Sequence, residues 1–256
     1  MTSTRQPIGI MDSGIGGLTV ANAVFRLLPN EDYIYFADSI HIPYGDKTQE
    51  QIRQYCFEIT EFFIQQNCKA VVLACNTATA AALEFLRETF PNMPFIGMEP
   101  AVKPAVSHTR SKTIGVLATA GTISSERYQS LTQRYAKGIT VLQNPCTGLV
   151  PLIEAGKTKG AEVEALLQEV LTPMLKKKAD TFVLGCTHYP FVRSVIESLL
   201  PEGATVIDPA PAIAKQVKKV LAEGGQLSKS TEKGNKEFFT SGDEKVLAWG
   251  VEVILG

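Results

Sequence analysis

Long apolar runs are missing from this 256-residue chain. No stretch approaches the roughly 18 to 20 residues that a membrane-spanning helix requires. The start, Met1-Thr2-Ser3-Thr4-Arg5-Gln6-Pro7, has no apolar segment of the kind that drives secretion. Those two absences predict a cytoplasmic chain with no membrane partner. A charge excess is missing too: 25 Lys+Arg stand against 26 Asp+Glu. With no net field to draw in a polyanion, nucleic acid is excluded as the principal partner. The five cysteines, Cys56, Cys68, Cys75, Cys146 and Cys186, include no Cys-x-x-Cys and no paired Cys/His spacing. That excludes a zinc ribbon and argues against a disulfide framework. Each thiol is then expected to be reduced, and serves either as core filler or as reagent.

What is present is alternation. Short apolar runs near 7–11, 33–37, 70–74, 94–97, 113–117, 139–143, 180–184 and 204–207 read as strands. Between them, helical spacing falls near 17–28, 48–66, 78–90, 123–136, 160–176, 191–200 and 210–222. The clearest helix carries Val163, Leu166, Leu167, Val170, Leu171, Met174 and Leu175 on one continuous stripe. Strands alternating with helices predict parallel sheets covered on both faces, an α/β class.

Two segments read alike. Val71-Val72-Leu73-Ala74-Cys75-Asn76-Thr77 and Phe182-Val183-Leu184-Gly185-Cys186-Thr187-His188 each run an apolar strand into a cysteine followed by small polar residues, 111 positions apart. A second pair, Ile8-Gly9-Ile10-Met11-Asp12-Ser13-Gly14 and Ile114-Gly115-Val116-Leu117-Ala118-Thr119-Ala120, lies 106 apart in the same order. The repetition predicts two pseudo-symmetric, doubly wound α/β domains with the active site in the cleft between them. The expected division is 1–97 plus 208–256 for the first domain and 98–207 for the second, with the changeover among Pro94, Pro100 and Pro104. The stretch 224–256, with its Phe238-Phe239-Thr240, can return to the first domain as a strand, and the sequence leaves its path open.

The strand-to-helix turn places each repeated cysteine at the carboxyl edge of a sheet, where open α/β folds bind ligands. A thiol there meets unpaired N–H groups and the positive end of a helix, which favours thiolate. The other thiols read differently. Cys56 shares an apolar face with Ile52, Ile59 and Phe63, Cys68 precedes a strand, and Cys146 follows Asn144-Pro145 in a loop. Asp12-Ser13-Gly14-Ile15-Gly16-Gly17 departs from the dinucleotide fingerprint, because its spacing is Gly-x-Gly-Gly and Asp12 repels a pyrophosphate. It serves either as a tight turn or as a turn that presents Asp12 and Ser13. Pro43-Tyr44-Gly45 is a turn by composition. Thr119 to Thr122 reads equally as a loop in which Thr122 or Ser124 caps the next helix. Glu154 follows an apolar run, where burial raises a carboxylate pKa, yet a lone glutamate near a glycine is more often solvated. His188 stands two residues after Cys186, whereas His41 and His108 default to loop or surface roles. None of the segments 12–17, 43–45, 74–79, 118–122 and 185–190 holds a lysine or arginine. Hydroxyls, amides and helix ends would have to hold an anion there, which suits a compact carboxylate.

With those residues in place, the chain resembles the bacterial glutamate racemases of the cofactor-independent aspartate/glutamate racemase superfamily. The likeness runs from about residue 8 to 208. It rests on the Asp12–Gly17 turn, Pro43-Tyr44-Gly45, Ala74-Cys75-Asn76-Thr77-Ala78, Leu149-Val150-Pro151-Leu152-Ile153-Glu154 and Gly185-Cys186-Thr187-His188-Tyr189-Pro190. His41, in Asp38-Ser39-Ile40-His41, stands where family members vary. The resemblance implies interconversion of L-glutamate and D-glutamate, supplying D-glutamate for peptidoglycan, with no pyridoxal phosphate, metal or nucleotide. It implies Cys75 and Cys186 as the two catalytic thiols, with Asp12 assisting Cys75, and Glu154 and His188 assisting Cys186. Ser13, Tyr44, Gly45, Asn76, Thr77 and Thr187 are implied as substrate-binding, with Thr119 and Thr122 beside them, and a homodimer is the candidate assembly. Three rivals compete with this reading: a racemase of aspartate or another amino acid, a redox thiol pair, and a binding module without turnover.

Overall fold

The computed structural model describes residues 5–256, so the first four residues of the amino-terminal stretch read above lie outside it. The chain divides into two compact units. Unit 1 holds the residues up to Met98 together with Ala210–Gly256, and unit 2 holds Glu99–Pro209.

Unit 1 runs β1 (Ile8–Asp12), α1 (Leu18–Leu27), β2 (Tyr33–Ala37), α2 (Gln49–Gln65), β3 (Ala70–Leu73), α3 (Asn76–Thr89) and β4 (Phe95–Ile96). Unit 2 follows with α4 (Val102–His108), β5 (Thr113–Leu117), α5 (Ala120–Ser124), α6 (Glu126–Tyr135), β6 (Thr140–Asn144), α7 (Leu149–Glu154), α8 (Ala161–Lys176), β7 (Thr181–Leu184), α9 (Arg193–Leu199) and β8 (Thr205–Ile207). The chain then re-enters unit 1 as α10 (Ala210–Glu223), β9 (Lys236–Thr240) and α11 (Glu244–Leu255).

Every strand pairing is parallel. The sheet orders are β4-β3-β1-β2-β9 and β6-β5-β7-β8. Read from β8, the second order repeats the first four strands of unit 1, so β1 corresponds to β5 and β3 to β7. The central strands β1, β3, β5 and β7 are buried at every residue. Helices cover both faces of such a sheet, which is why these strands read as continuous apolar runs. An early residue of each leading strand, Gly9 in β1 and Gly115 in β5, is a glycine for one reason in both units: an added Cβ would stand 2.7 Å from the Phe63 ring at Gly9 and 2.7 Å from the Phe182 ring at Gly115. Cys56 and Cys68 are packed in the unit 1 core with Ile52, Ile59 and Phe63. Burial pushes the Cys68 thiol up to about 12 and raises Cys56 as well, which keeps both in the inert neutral form.

The observed elements differ from the sequence reading at identifiable places. The helix expected over 123–136 is two helices, because Ser125 is extended and its side chain caps α6 by accepting from the Tyr128 N–H at 3.2 Å. The helix expected from 78 begins at Asn76, directly after Cys75. The short helices α4 and α7 and the terminal α11 are additional. The segment left open in the sequence becomes β9, parallel to β2 with Ala37 opposite Thr240. Among the described residues no helix is long and apolar enough to cross a membrane.

Candidate active site

Three acidic or thiol side chains collect at the carboxyl edge of the unit 1 sheet. Asp12 ends β1, Asp38 follows β2 and Cys75 follows β3. The backbone keeps them adjacent, since Asp38 N–H donates to the Asp12 carbonyl at 2.9 Å and Ala74 N–H to the Met11 carbonyl at 2.8 Å. Asp12 is fully buried, and its Oδ1 accepts from the Gly14 N–H at 2.9 Å. Gly17 lets α1 begin directly over that carboxylate, because a Cβ there would fall 2.5 Å from Asp12 Cβ. The Tyr35 hydroxyl fixes the same turn by donating to the Gly14 carbonyl at 2.7 Å.

Cys75 is the N-cap of the 14-residue α3, and its sulfur accepts from the Ala78 N–H at 3.4 Å. The sulfur therefore sits at the positive end of a helix, where negative charge is stabilised. Ser13 Oγ lies 4.0 Å from it. Asn76 comes next in sequence and is 3% exposed, and neither its amide oxygen nor its amide nitrogen has a hydrogen-bond partner. A buried carboxamide left bare is costly, so both atoms would gain from a polar partner. Thr77 is buried beside it. The Tyr44 hydroxyl donates to Asp38 Oδ2 at 2.6 Å. Burial, with Cys56 and Asp38 nearby, raises the phenol well above its ordinary range and keeps it a donor. Gly45 follows in the same short turn, Tyr44–Asp46.

Unit 2 repeats the placement with different neighbours. Gly185 N–H donates to the Leu117 carbonyl at 2.6 Å and Ala118 N–H to the Asn144 carbonyl at 3.2 Å, so the strand ends of β5, β6 and β7 are level. Cys186 Sγ is 3.8 Å from His188 Nδ1, and His188 Nε2 is 2.6 Å from Glu154 Oε1. The His188 and Glu154 side chains are 2% and 12% exposed. Burial opposes charge on the imidazole, but hydrogen bonds with Cys186 and Glu154 outweigh it and hold His188 well above its usual value. Glu154, whose position beside a glycine favoured a solvated carboxylate, is instead mostly buried and paired with the histidine that follows the thiol. Thr187 is buried next to it.

Tyr189 is fully buried, its N–H donates to the Cys186 carbonyl at 3.2 Å, and its hydroxyl donates to the Pro145 carbonyl at 3.3 Å beside Cys146 and Cys186. Cys146 is buried at φ 47°. Burial, against a Tyr189 hydrogen bond, pushes its thiol up to about 12, which favours packing over reaction.

The remaining sequence candidates fall as follows. Thr119, not Thr122 or Ser124, caps α5: its Oγ1 accepts from the Thr122 N–H at 3.3 Å and donates to Thr122 Oγ1 at 3.1 Å. Its hydroxyl is committed to the helix end. His108 is exposed and bonded to the Pro104 carbonyl at 2.7 Å, in keeping with a surface role. His41 lies in the loop after β2 and contacts Asp38. Asp38 and Tyr189 are the residues the sequence reading passed over. A signal for Asp38 was present: β1 and β2 both lead into an Asp-Ser step, as Met11-Asp12-Ser13 and Ala37-Asp38-Ser39.

Two thiols, each at the carboxyl edge of an equivalent strand and each provided with a means of holding charge, can take up and release protons. The profile of the Asp/Glu/Hydantoin racemase family matches residues 8–217. A glutamate racemase of Ectopseudomonas mendocina is 44% identical over 256 residues, covering 100% of this chain and 97% of that protein. The crystal structure of glutamate racemase from Francisella tularensis subsp. tularensis in complex with D-glutamate is similar with a TM-score of 0.85 and 33% identity, over 99% of this chain and 95% of that one. Escherichia coli glutamate racemase in complex with L-glutamate and activator UDP-MurNAc-ala gives 0.82 and 31%, over 98% and 93%.

Proposed function

The chain belongs to the Asp/Glu/Hydantoin racemase family, and from that membership we propose that it is a glutamate racemase working by proton transfer between two thiols, without a cofactor. The observation that carries the reading is the recurrence of a buried cysteine after the equivalent strands β3 and β7. Full-length likeness to glutamate racemases supplies the substrate.

In one direction Cys75, as thiolate, removes the α-proton. The C–H bond breaks, an S–H bond forms, and the electron pair moves into the adjoining carboxylate. Cys186, as thiol, then delivers its proton to the opposite face, and its S–H bond breaks as the new C–H bond forms. The reverse direction exchanges the roles, which is general acid and base catalysis divided between two residues. His188, held in place by Glu154, provides the positive charge against which the Cys186 thiolate forms. For Cys75 the helix end and Ser13 take that part, with Asp12 assisting. The α-hydrogen beside a carboxylate is weakly acidic, so donors aimed at the developing enolate charge must supply most of the stabilisation. The bare Asn76 amide fits that requirement, together with Thr77 and Thr187. Ser13, Tyr44 and Gly45 hold the rest of the substrate, with Thr119 and Thr122 as further candidates from unit 2. A cytoplasmic role in providing D-glutamate for peptidoglycan, and a homodimer, follow from the same resemblance.

Proton NMR of L-glutamate and of D-glutamate in D2O tests the reading. Loss of the α-proton signal with appearance of the other enantiomer is the expected result, and in Cys75→Ser and Cys186→Ser the conversion to the other enantiomer should be lost. No exchange from either enantiomer under reducing conditions would overturn it, and the same run with aspartate then reports whether the substrate was misread.

A further inference from the structure

Unit 1 holds a second histidine–carboxylate pair, directed at a tyrosine. The Asp38 carboxylate is 6% exposed and receives three donors: the Tyr44 hydroxyl at 2.6 Å, the Ser241 hydroxyl at 2.8 Å, and His41 Nδ1, which lies 3.0 and 2.9 Å from its two oxygens. The His41 ring is stacked flat on Tyr55 of α2, with centroids 3.7 Å apart and planes 8° from parallel. Ser241 extends the pairing of β9 with β2 by donating its N–H to the Ala37 carbonyl at 3.0 Å. Its hydroxyl also accepts from the Ile40 N–H at 3.3 Å. Behind it, Gly242 permits close approach, since a Cβ there would stand 2.8 Å from Ser39 Cβ. The loop between β2 and α2 is thus tied at His41 and Tyr44 to the carboxylate that begins it, and through Ser241 to the segment after β9, far along the chain.

We propose that Asp38 is a positioning residue for glutamate binding: through Tyr44, and with His41 and Ser241 completing its donors, it fixes the loop that presents Tyr44 and Gly45. The inference rests on the racemase reading for the identity of the ligand. A connecting loop left untied would have to be ordered when substrate binds, and that entropy is subtracted from affinity. Tying it beforehand through charge-assisted bonds removes the cost from the binding step. Asp38 touches none of the reacting atoms in this scheme, so its loss falls on KM and leaves the chemical step largely alone.

Hydrogen–deuterium exchange of the peptide spanning 38–46, combined with glutamate kinetics, tests this in wild type, Asp38→Asn, Tyr44→Phe and His41→Ala. In Asp38→Asn the expected results are faster exchange confined to 38–46 and a KM raised on the order of tenfold, the scale of one hydrogen bond to a charged group. The kcat is expected to change by less than about threefold, and the KM rise in His41→Ala to be smaller, because two of the three donors remain. Tyr44→Phe should loosen the same peptide, and adding it to Asp38→Asn should bring little further exchange, since both remove one bond. Unchanged exchange over 38–46 in Asp38→Asn overturns the brace, whether or not the wild type racemises glutamate. Faster exchange with an unchanged KM overturns the positioning role. A wild type that does not act on glutamate sinks the proposed function by itself, while the exchange result still decides the brace.

Discussion

Cys75 and Cys186 occupy the same place in two copies of one strand order, yet their surroundings differ in kind. Around Cys75 the polar contacts include a backbone N–H at a helix end and a serine hydroxyl. Around Cys186 there is an ionisable relay, with an imidazole 3.8 Å from the sulfur and a carboxylate 2.6 Å behind it. Unit 1 does contain a histidine–carboxylate pair, His41 with Asp38, but that pair faces Tyr44. A duplicated framework has therefore kept the position of the reagent while placing a carboxylate-backed imidazole beside one thiol only. The consequence is directional: fixed dipoles do not change with pH, whereas an imidazole does, so the pH response of the reaction should originate mainly in unit 2.

The strongest way to break the comparison is to remove each thiol. Cys75→Ser and Cys186→Ser should each lower racemisation by about 10³-fold or more, at the upper end of what a positioned acid or base contributes. In D2O each variant should still exchange, slowly and without inversion, the α-proton of the one enantiomer that its remaining thiol deprotonates. If both variants exchanged the same enantiomer, the assignment of one thiol to each face would fail.

Next in size is His188→Asn, which takes the positive charge from beside Cys186 and should lower kcat by about 10²-fold. Glu154→Gln leaves the imidazole in place but weakens its orientation and charge, so a loss of roughly tenfold is expected. Stability should carry the same mark. The folded state raises the His188 value above 6.5, so the contribution of the ion pair is fully present below that unfolded-state value. It is lost as pH rises through the higher folded-state value. Chemical unfolding should therefore show Glu154→Gln furthest below wild type near pH 6, with the gap narrowing toward alkaline pH. A gap that widens with pH would mean that the imidazole is held neutral, contrary to the geometry of unit 2.

How much of this was legible beforehand depended on whether the signal was local. The central strands of both units were legible because β1, β3, β5 and β7 are buried on both faces, so four or five apolar residues in a row have no other use. The cysteines stood out because a strand ending in a thiol occurs twice. Three kinds of feature stayed hidden. The helix α4 lies among Pro100 and Pro104, and α7 carries Pro151 in its first turn, where proline is tolerated although it reads as a breaker. The strand β9 is an edge strand with only half-buried Phe238 and Thr240, and it pairs with β2 from 203 positions away. The partnerships of the site also span distance: Glu154 meets His188 across 34 positions and Ser241 meets Asp38 across 203. Composition and periodicity report what each residue does locally, and a polar side chain acquires its role from a partner that neither can reveal.

The smallest effect provides the control. Asp180 lies just before β7, at the edge of the unit 2 sheet opposite Cys186. Its carboxylate accepts from the Thr109 hydroxyl at 2.6 Å, from the Arg110 and Ser111 N–H groups at 2.8 and 2.7 Å, and from the Thr181 hydroxyl at 3.0 Å. Burial works against the charge, but these donors outweigh it and hold the group at about 2, below the ordinary 3.8. The stabilisation is therefore present above 3.8 and disappears as pH falls through about 2. Asp180→Asn should lower stability at pH 7 by on the order of 1 kcal/mol, allowing for the solvent around a partly exposed carboxylate, or by roughly 2–4 °C in Tm. The difference from wild type should shrink at pH 3. Far-UV circular dichroism is the appropriate probe, because the only tryptophan, Trp249, lies in α11 of unit 1 and its fluorescence would report the other unit. Racemisation by Asp180→Asn at 25 °C should match wild type. If it fell as far as in Glu154→Gln, loosening unit 2 anywhere would be enough to impair Cys186, and the contrast between a dipole-held and an imidazole-held thiol would lose its chemical basis.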